Sequence, residues 1–168
     1  SNAPTGEPYN MYKYTMSDYN TKGYGDPRGV YSPSYGSYSA TEAGKKPSGY
    51  NNTEILRHLL SIHGLSSAII NAVDGYSVQR PNGTSKWYLP SVYEMTQIYQ
   101  CYKNNGLDSL LTAAGGAALS SWPYWTVSEV VDNENTYAGT VNPVTGAIST
   151  KHKTMNSSLP YLRYVIAF

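Results

Sequence analysis

Trp87-Tyr-Leu-Pro-Ser-Val-Tyr-Glu-Met-Thr-Gln-Ile-Tyr99 couples a strand-like entry to the start of a helix, and the rest of the chain is read as arranged around it. Ser91 and Glu94 have the spacing of a capping box, in which the serine oxygen accepts from the amide of Glu94 and the glutamate reaches back to the amide of Ser91. Val92, Met95, Ile98, Tyr99 and Tyr102 then recur at three- and four-residue steps, on one face of a 3.6-period helix. Asn104-Asn-Gly106 supplies the stop. A helix with such a face has to bury it.

The chain of 168 residues is long enough to hold a hydrophobic core in one domain. Its 12 Lys+Arg and 11 Asp+Glu give a formal net charge of +1, so no overall field points to nucleic acid, an anionic membrane or a polyanionic substrate. Charged residues make up only 14%, against about a quarter in typical soluble domains, while there are 18 Tyr and one Phe. Tyrosine offers a rigid apolar ring with a hydroxyl that stays wet. That suits half-buried sheets and contact surfaces equally. The lone cysteine, Cys101, has no intrachain partner and reads as a half-buried structural thiol. No apolar run approaches the roughly 20 residues that span a bilayer, and no signal peptide is visible. Ser1-Asn-Ala3 reads as the remnant of a cleaved tag, so an export signal upstream stays open.

Residues 4–48 are rich in Tyr, Gly, Ser and Pro, and predict short strands and turns, some of them belonging to the same domain as 49–168. Asn52 or Thr53 is the expected cap of a helix carrying Ile55, Leu56, Leu59, Leu60 and Ile62 and ending at Gly64. Ser66–Val73 predicts a further helical turn or two, and Leu107–Ala114 a short helix broken at Gly115-Gly116. Strands are expected over Trp122–Glu129, Asn135–Val141, Gly146–Thr150 and Tyr161–Phe168, each bounded by Asn, Gly or Pro. Helices before a run of strands, with no βαβ alternation, give an α+β domain with an antiparallel sheet.

Four blocks in this order, Trp87-Tyr-Leu-Pro-Ser-Val-Tyr-Glu94, Ala113-Ala-Gly-Gly-Ala-Ala-Leu119, Tyr124-Trp-Thr-Val-Ser-Glu129 and Leu162-Arg-Tyr-Val-Ile-Ala-Phe168, resemble one family. It is the Legionella collagen-like protein C-terminal domain family, with the related Fibrobacter succinogenes major paralogous domain, whose members are common in gut Bacteroidetes. The resemblance covers roughly residues 87–168. It implies a C-type lectin-like fold, in which two helices pack on a small twisted antiparallel sheet with long loops. It also implies an exported module at the cell surface, as part of a lipoprotein or larger surface protein. The chain departs from the family pattern at Met95, at Thr126-Val127, at Leu162 and at Tyr164.

In that fold the three blocks carrying Glu94, Glu129 and Arg163 pack together, which implies a structural bridge from Arg163 to one of the two glutamates, with Ser91 and a buried Trp125 as further structural residues. An Arg fork grips a carboxylate bidentately, and breaking a buried pair costs about 3 to 5 kcal/mol. His58 and His63 are five apart and point to different faces of one helix, His152 stands alone between lysines, and one cysteine offers no Cys–His spacing, so no metal site is expected. No catalytic elbow, phosphate loop or dinucleotide fingerprint appears, and neither catalysis nor a cofactor is expected. The formylglycine-generating enzymes share the broader fold, but their copper-dependent members use a cysteine pair that is lacking here. Asp132, Asn133, Glu134 and Asn135 form either a solvated turn or, in principle, a calcium loop. The sugar-binding motifs of calcium lectins, E-P-N or Q-P-D with W-N-D, are absent.

Trp122 and Tyr124, with the loop from Asp132 to Asn135, are therefore the ligand-facing candidates, since exposed aromatic faces stack on sugar rings or hold peptide. Lys151-His-Lys153 is the one basic cluster and reads as a solvated hairpin tip. Two functions follow. The first is a non-enzymatic surface module that recognises a glycan or a host or bacterial surface protein through its loops. The second is a structural or assembly component of a surface appendage or lipoprotein. Both are extracellular, neither involves nucleic acid, and the oligomeric state is left open.

Overall fold

The structure, a computed structural model, describes residues 37–38, 47, 49–62, 64, 67–130, 137–152 and 160–168. Within these lie a short strand β1 (Ser37–Tyr38), helices α1 (Gly49–Ile62), α2 (Ala68–Asp74), α3 (Val92–Asn105) and α4 (Leu107–Ala113), and strands β2 (Tyr124–Val130), β3 (Tyr137–Val141) and β4 (Ile148–His152). The sheet order is β1-β2-β3-β4, with β2, β3 and β4 antiparallel and β1 added in parallel beside β2. The architecture is α+β.

Helices α2, α3 and α4 each have a local reason to begin or end. Ser91 accepts from the amide of Glu94 while the Glu94 carboxylate accepts from the amide of Ser91, so both halves of the capping box are present at α3. The first amide inside that helix, Val92 N–H, donates to Ser128 Oγ of β2 at 3.0 Å, which ties the helix start to the sheet. Gly106 ends α3 and opens α4 with φ 62, a left-handed backbone that glycine adopts without a Cβ penalty. Ser67 caps α2 through its hydroxyl and Ile70 N–H.

The start of α1 differs from the sequence expectation. Asn52 and Thr53 lie inside the helix and are buried, and the helix begins at Gly49. Its first amide is satisfied from far along the chain, because Gly49 N–H donates to Glu94 Oε2 at 3.0 Å. A cap supplied by another element leaves no local signal. Thr53 instead clamps the extended entry to α3: its hydroxyl donates to Leu89 C=O and accepts from Leu89 N–H.

Two apolar clusters hold the layers together. In one, Leu56 and Leu60 of α1 and Ile70 of α2 meet Leu89, Trp125, Val127 and Ala138. In the other, Val92 and Met95 of α3 pack on Tyr124 and Val141. β2 feeds both, and Tyr124 through Ser128 are all buried, so the strand lacks the alternation of a half-solvated sheet. A register shift between Trp125 and Glu129 accompanies this double coverage. The polar residue in the middle is satisfied: the Thr126 hydroxyl donates to Gly139 C=O at 2.8 Å.

The last eight residues, expected as a strand, make only isolated bridges. Tyr161 pairs in parallel with Tyr124, whereas Val165 pairs antiparallel with Tyr88 and Ala167 bonds to Ser85. The segment passes from one neighbour to another, so no continuous ladder forms on either. It closes the molecule by joining the entry of α3 to the entry of β2.

Candidate functional site

The loop that enters β2 was the place expected to face a ligand. Trp122 is exposed, at 52% of its full area. Tyr124 is not: it is buried at 5%, packs in the α3 cluster, and its hydroxyl accepts from Ser120 N–H at 3.0 Å. The correction has a plain cause, since Tyr124 is the first residue of a strand covered on both sides, and its ring stands edge-on to Tyr161, 5.7 Å away. Trp125 is buried at 7% in the other cluster. Asp132, Asn133, Glu134 and Asn135 lie outside the described residues, as does the side chain of Glu129. Trp122 therefore stands without Tyr124 on that surface.

Glu94 is a structural junction. Its carboxylate accepts from Gly49 N–H, Ser91 N–H, Ser91 Oγ–H and Tyr88 O–H, at 2.7 to 3.0 Å. These donors join the starts of α1 and α3 to the extended entry. Burial, then the charge of Glu94 and the hydrogen bond to it, push the Tyr88 phenol well above its ordinary value. Among the described residues Glu94 makes no ion pair with Arg163, so that half of the expected bridge is replaced by backbone and hydroxyl donors.

Cys101, expected half-buried, is exposed on α3. Lys151 and His152, expected at a hairpin tip, belong to β4, where they pair with Ala138 and Tyr137, and the His152 ring stands edge-on to Tyr137. The turn itself is Asn142–Ala147, closed by Asn142 Oδ1 accepting from Val144 and Thr145 N–H. Lys153 and His63 lie outside the described residues. Among the described residues no three His, Cys, Asp or Glu gather at metal-binding distance. No described helix is long and apolar enough to cross a membrane.

A cleft of about 540 Å³ opens between α3, α4, the 116–119 loop and the terminal segment. Ile98, Leu107, Leu111, Leu119 and Leu162 give it an apolar lining, and Tyr76, Trp87 and Tyr164 form an aromatic wall. The Tyr76 ring stands 5.0 Å from both Trp87 and Tyr164, and the Trp87 indole N–H is held by Val78 C=O at 3.0 Å. Burial, with a smaller effect of Tyr76, raises the Tyr164 phenol above its ordinary value. Arg163 is the single charged residue of the lining among the described residues. Sequence reasoning singled out Arg163 and Trp87 but not this cleft, because its walls come from segments up to about ninety positions apart, and no spacing in the chain reports that.

Against known proteins, no family model matches the chain and no curated protein matches it. Among solved structures the chain is similar to a fimbrial protein from Bacteroides ovatus ATCC 8483, with a TM-score of 0.68 and 20% sequence identity, over 97% of this chain and 34% of that one. The chain thus spans about a third of that protein's length. At this identity the likeness is one of fold.

Proposed function

We propose that the chain is a non-enzymatic structural or assembly component of a bacterial surface appendage. The observation that carries this is the fold likeness to a Bacteroides fimbrial protein across 97% of the chain. The sheet adds support, since among the described residues β4 has a neighbour on its β3 side alone and carries exposed Ile148, and an open strand edge is a ready surface for pairing with another chain. The lectin-like reading of the fold and the location at the surface of a Bacteroidetes cell belong to the same proposal, the first resting on the four sequence blocks.

The glycan- or protein-binding reading rests on Trp122, the one residue of the expected ligand-facing set that is both described and exposed. Deleting the gene in the bacterium that encodes it separates the two. Loss or shortening of surface filaments supports the appendage role. Intact filaments with a lost binding to one glycan or matrix protein, reproduced by Trp122→Ala, support the binding module and contradict the first reading.

A further inference from the structure

The cleft beside α4 goes beyond an assembly role, and its chemistry is specific. Three arginines have described side chains. Arg57 is held by Glu54, Asp74 and Trp87 C=O, and Arg80 donates to the carbonyls of Thr84 and Ser85. Arg163 makes no hydrogen bond or ion pair with any described residue, yet it is half-buried and lines the cleft. A guanidinium with no acceptor among the described residues is open to an anion from outside the chain. Its planar fork of N–H donors matches one carboxylate.

The surroundings restrict what can bring that carboxylate. Among the described residues the remaining lining is aliphatic, aromatic or glycine, with no lysine and no second arginine, so a multiply charged anion such as phosphate would find one cation there where it needs several. The volume falls within the range of about 300 to 1,000 Å³ in which small molecules are bound. The aromatic wall is fixed in place by its ring contacts and by the Trp87–Val78 hydrogen bond, so it presents a preformed apolar face. We infer that this cleft binds a small monocarboxylate with an apolar body, aromatic or aliphatic, with the carboxylate on Arg163 and the body against Trp87, Tyr164 and Leu111.

The test titrates the full chain with phenylbutyrate and with octanoate, following the indole N–H resonance of Trp87 by two-dimensional NMR. Parallel titrations use the uncharged amides and inorganic phosphate. At least one carboxylate is expected to shift the Trp87 signal saturably, while the amides and phosphate bind about tenfold more weakly or not at all. Arg163→Gln is expected to weaken the carboxylate about tenfold with an unchanged melting temperature. The proposal is overturned if neither carboxylate moves Trp87 at millimolar concentration, or if amide and carboxylate bind equally. It is also overturned if Arg163→Gln lowers the melting temperature by several degrees, which would assign the guanidinium to the fold. A Trp87 shift on raising the protein concentration alone would assign the cleft to a second copy and equally overturn it.

Discussion

Glu94 gathers more structural consequence than any other described side chain, because one carboxylate closes the capping box of α3, satisfies the first amide of α1 and holds the Tyr88 hydroxyl. Removing it strands four backbone and hydroxyl donors, so Glu94→Ala should cost about 3 kcal/mol by chemical denaturation, whereas Glu94→Gln, which keeps an acceptor, should cost less. Gly49→Ala tests the same junction from the other side. Alanine favours a helix over glycine by about 1 kcal/mol, yet a Cβ here would overlap the Glu94 carboxylate and lie 2.9 Å from Leu89 C=O and Ser91 N. The net effect should be a loss of about 2 kcal/mol. Tyr88→Phe should cost about 1.5 kcal/mol at neutral pH. The Tyr88 phenol is held protonated in the fold above its unfolded value, so its stabilisation is complete below about pH 10 and is lost as pH rises further. The deficit of Tyr88→Phe relative to the parent should therefore shrink above about pH 10 in denaturation curves taken at a series of pH values. Trp122→Ala, at an exposed position, should leave stability within about 0.5 kcal/mol. The Ser91–Glu94 spacing was readable from the chain because it is local. The contribution of Gly49 was not, since its partner is 45 positions away.

At the level of elements, helices α3 and α4 follow from periodicity and from a stop at Asn104-Asn-Gly106, and α2 from Ser67 before an apolar run. The positions of β3 and β4 were legible from the Asn and Gly that bound them, although β4 runs on to His152 where Thr150 was the expected end. What the chain alone does not express is coverage. Tyr124 reads as ligand-facing and is buried because helices close on both sides of β2. The terminal segment reads as a strand by composition, yet its partners alternate between β2 and the entry of α3. That division makes a sharp prediction. Val165 N–H donates to Tyr88 C=O, so Val165→Pro should destabilise by about 2 kcal/mol or more. Ile166 N–H has no backbone partner among the described residues, and Ile166→Pro should be clearly milder. Amide hydrogen exchange at Tyr88 and Val165 reads the same contact directly, with both protected in the parent and exposed in Val165→Pro.

For the whole molecule, no described helix is long and apolar enough to cross a membrane, the near-neutral charge gives no overall field for nucleic acid, and pattern gave the α+β class. The assembled shape adds what no single stretch carries, a likeness to a fimbrial protein at 20% identity, and a β4 edge that is open among the described residues. Both are the observations on which the proposed assembly role rests. Of the residues expected to face a ligand, Tyr124 belongs to the core and Trp122 is exposed, while Asp132, Asn133, Glu134 and Asn135 lie outside the described residues. Immunogold electron microscopy of intact cells of the encoding bacterium tests the central claim most directly. Gold aligned along extended surface filaments is the predicted result, and gold confined to the cell interior, with unlabelled filaments in the same field, would contradict it.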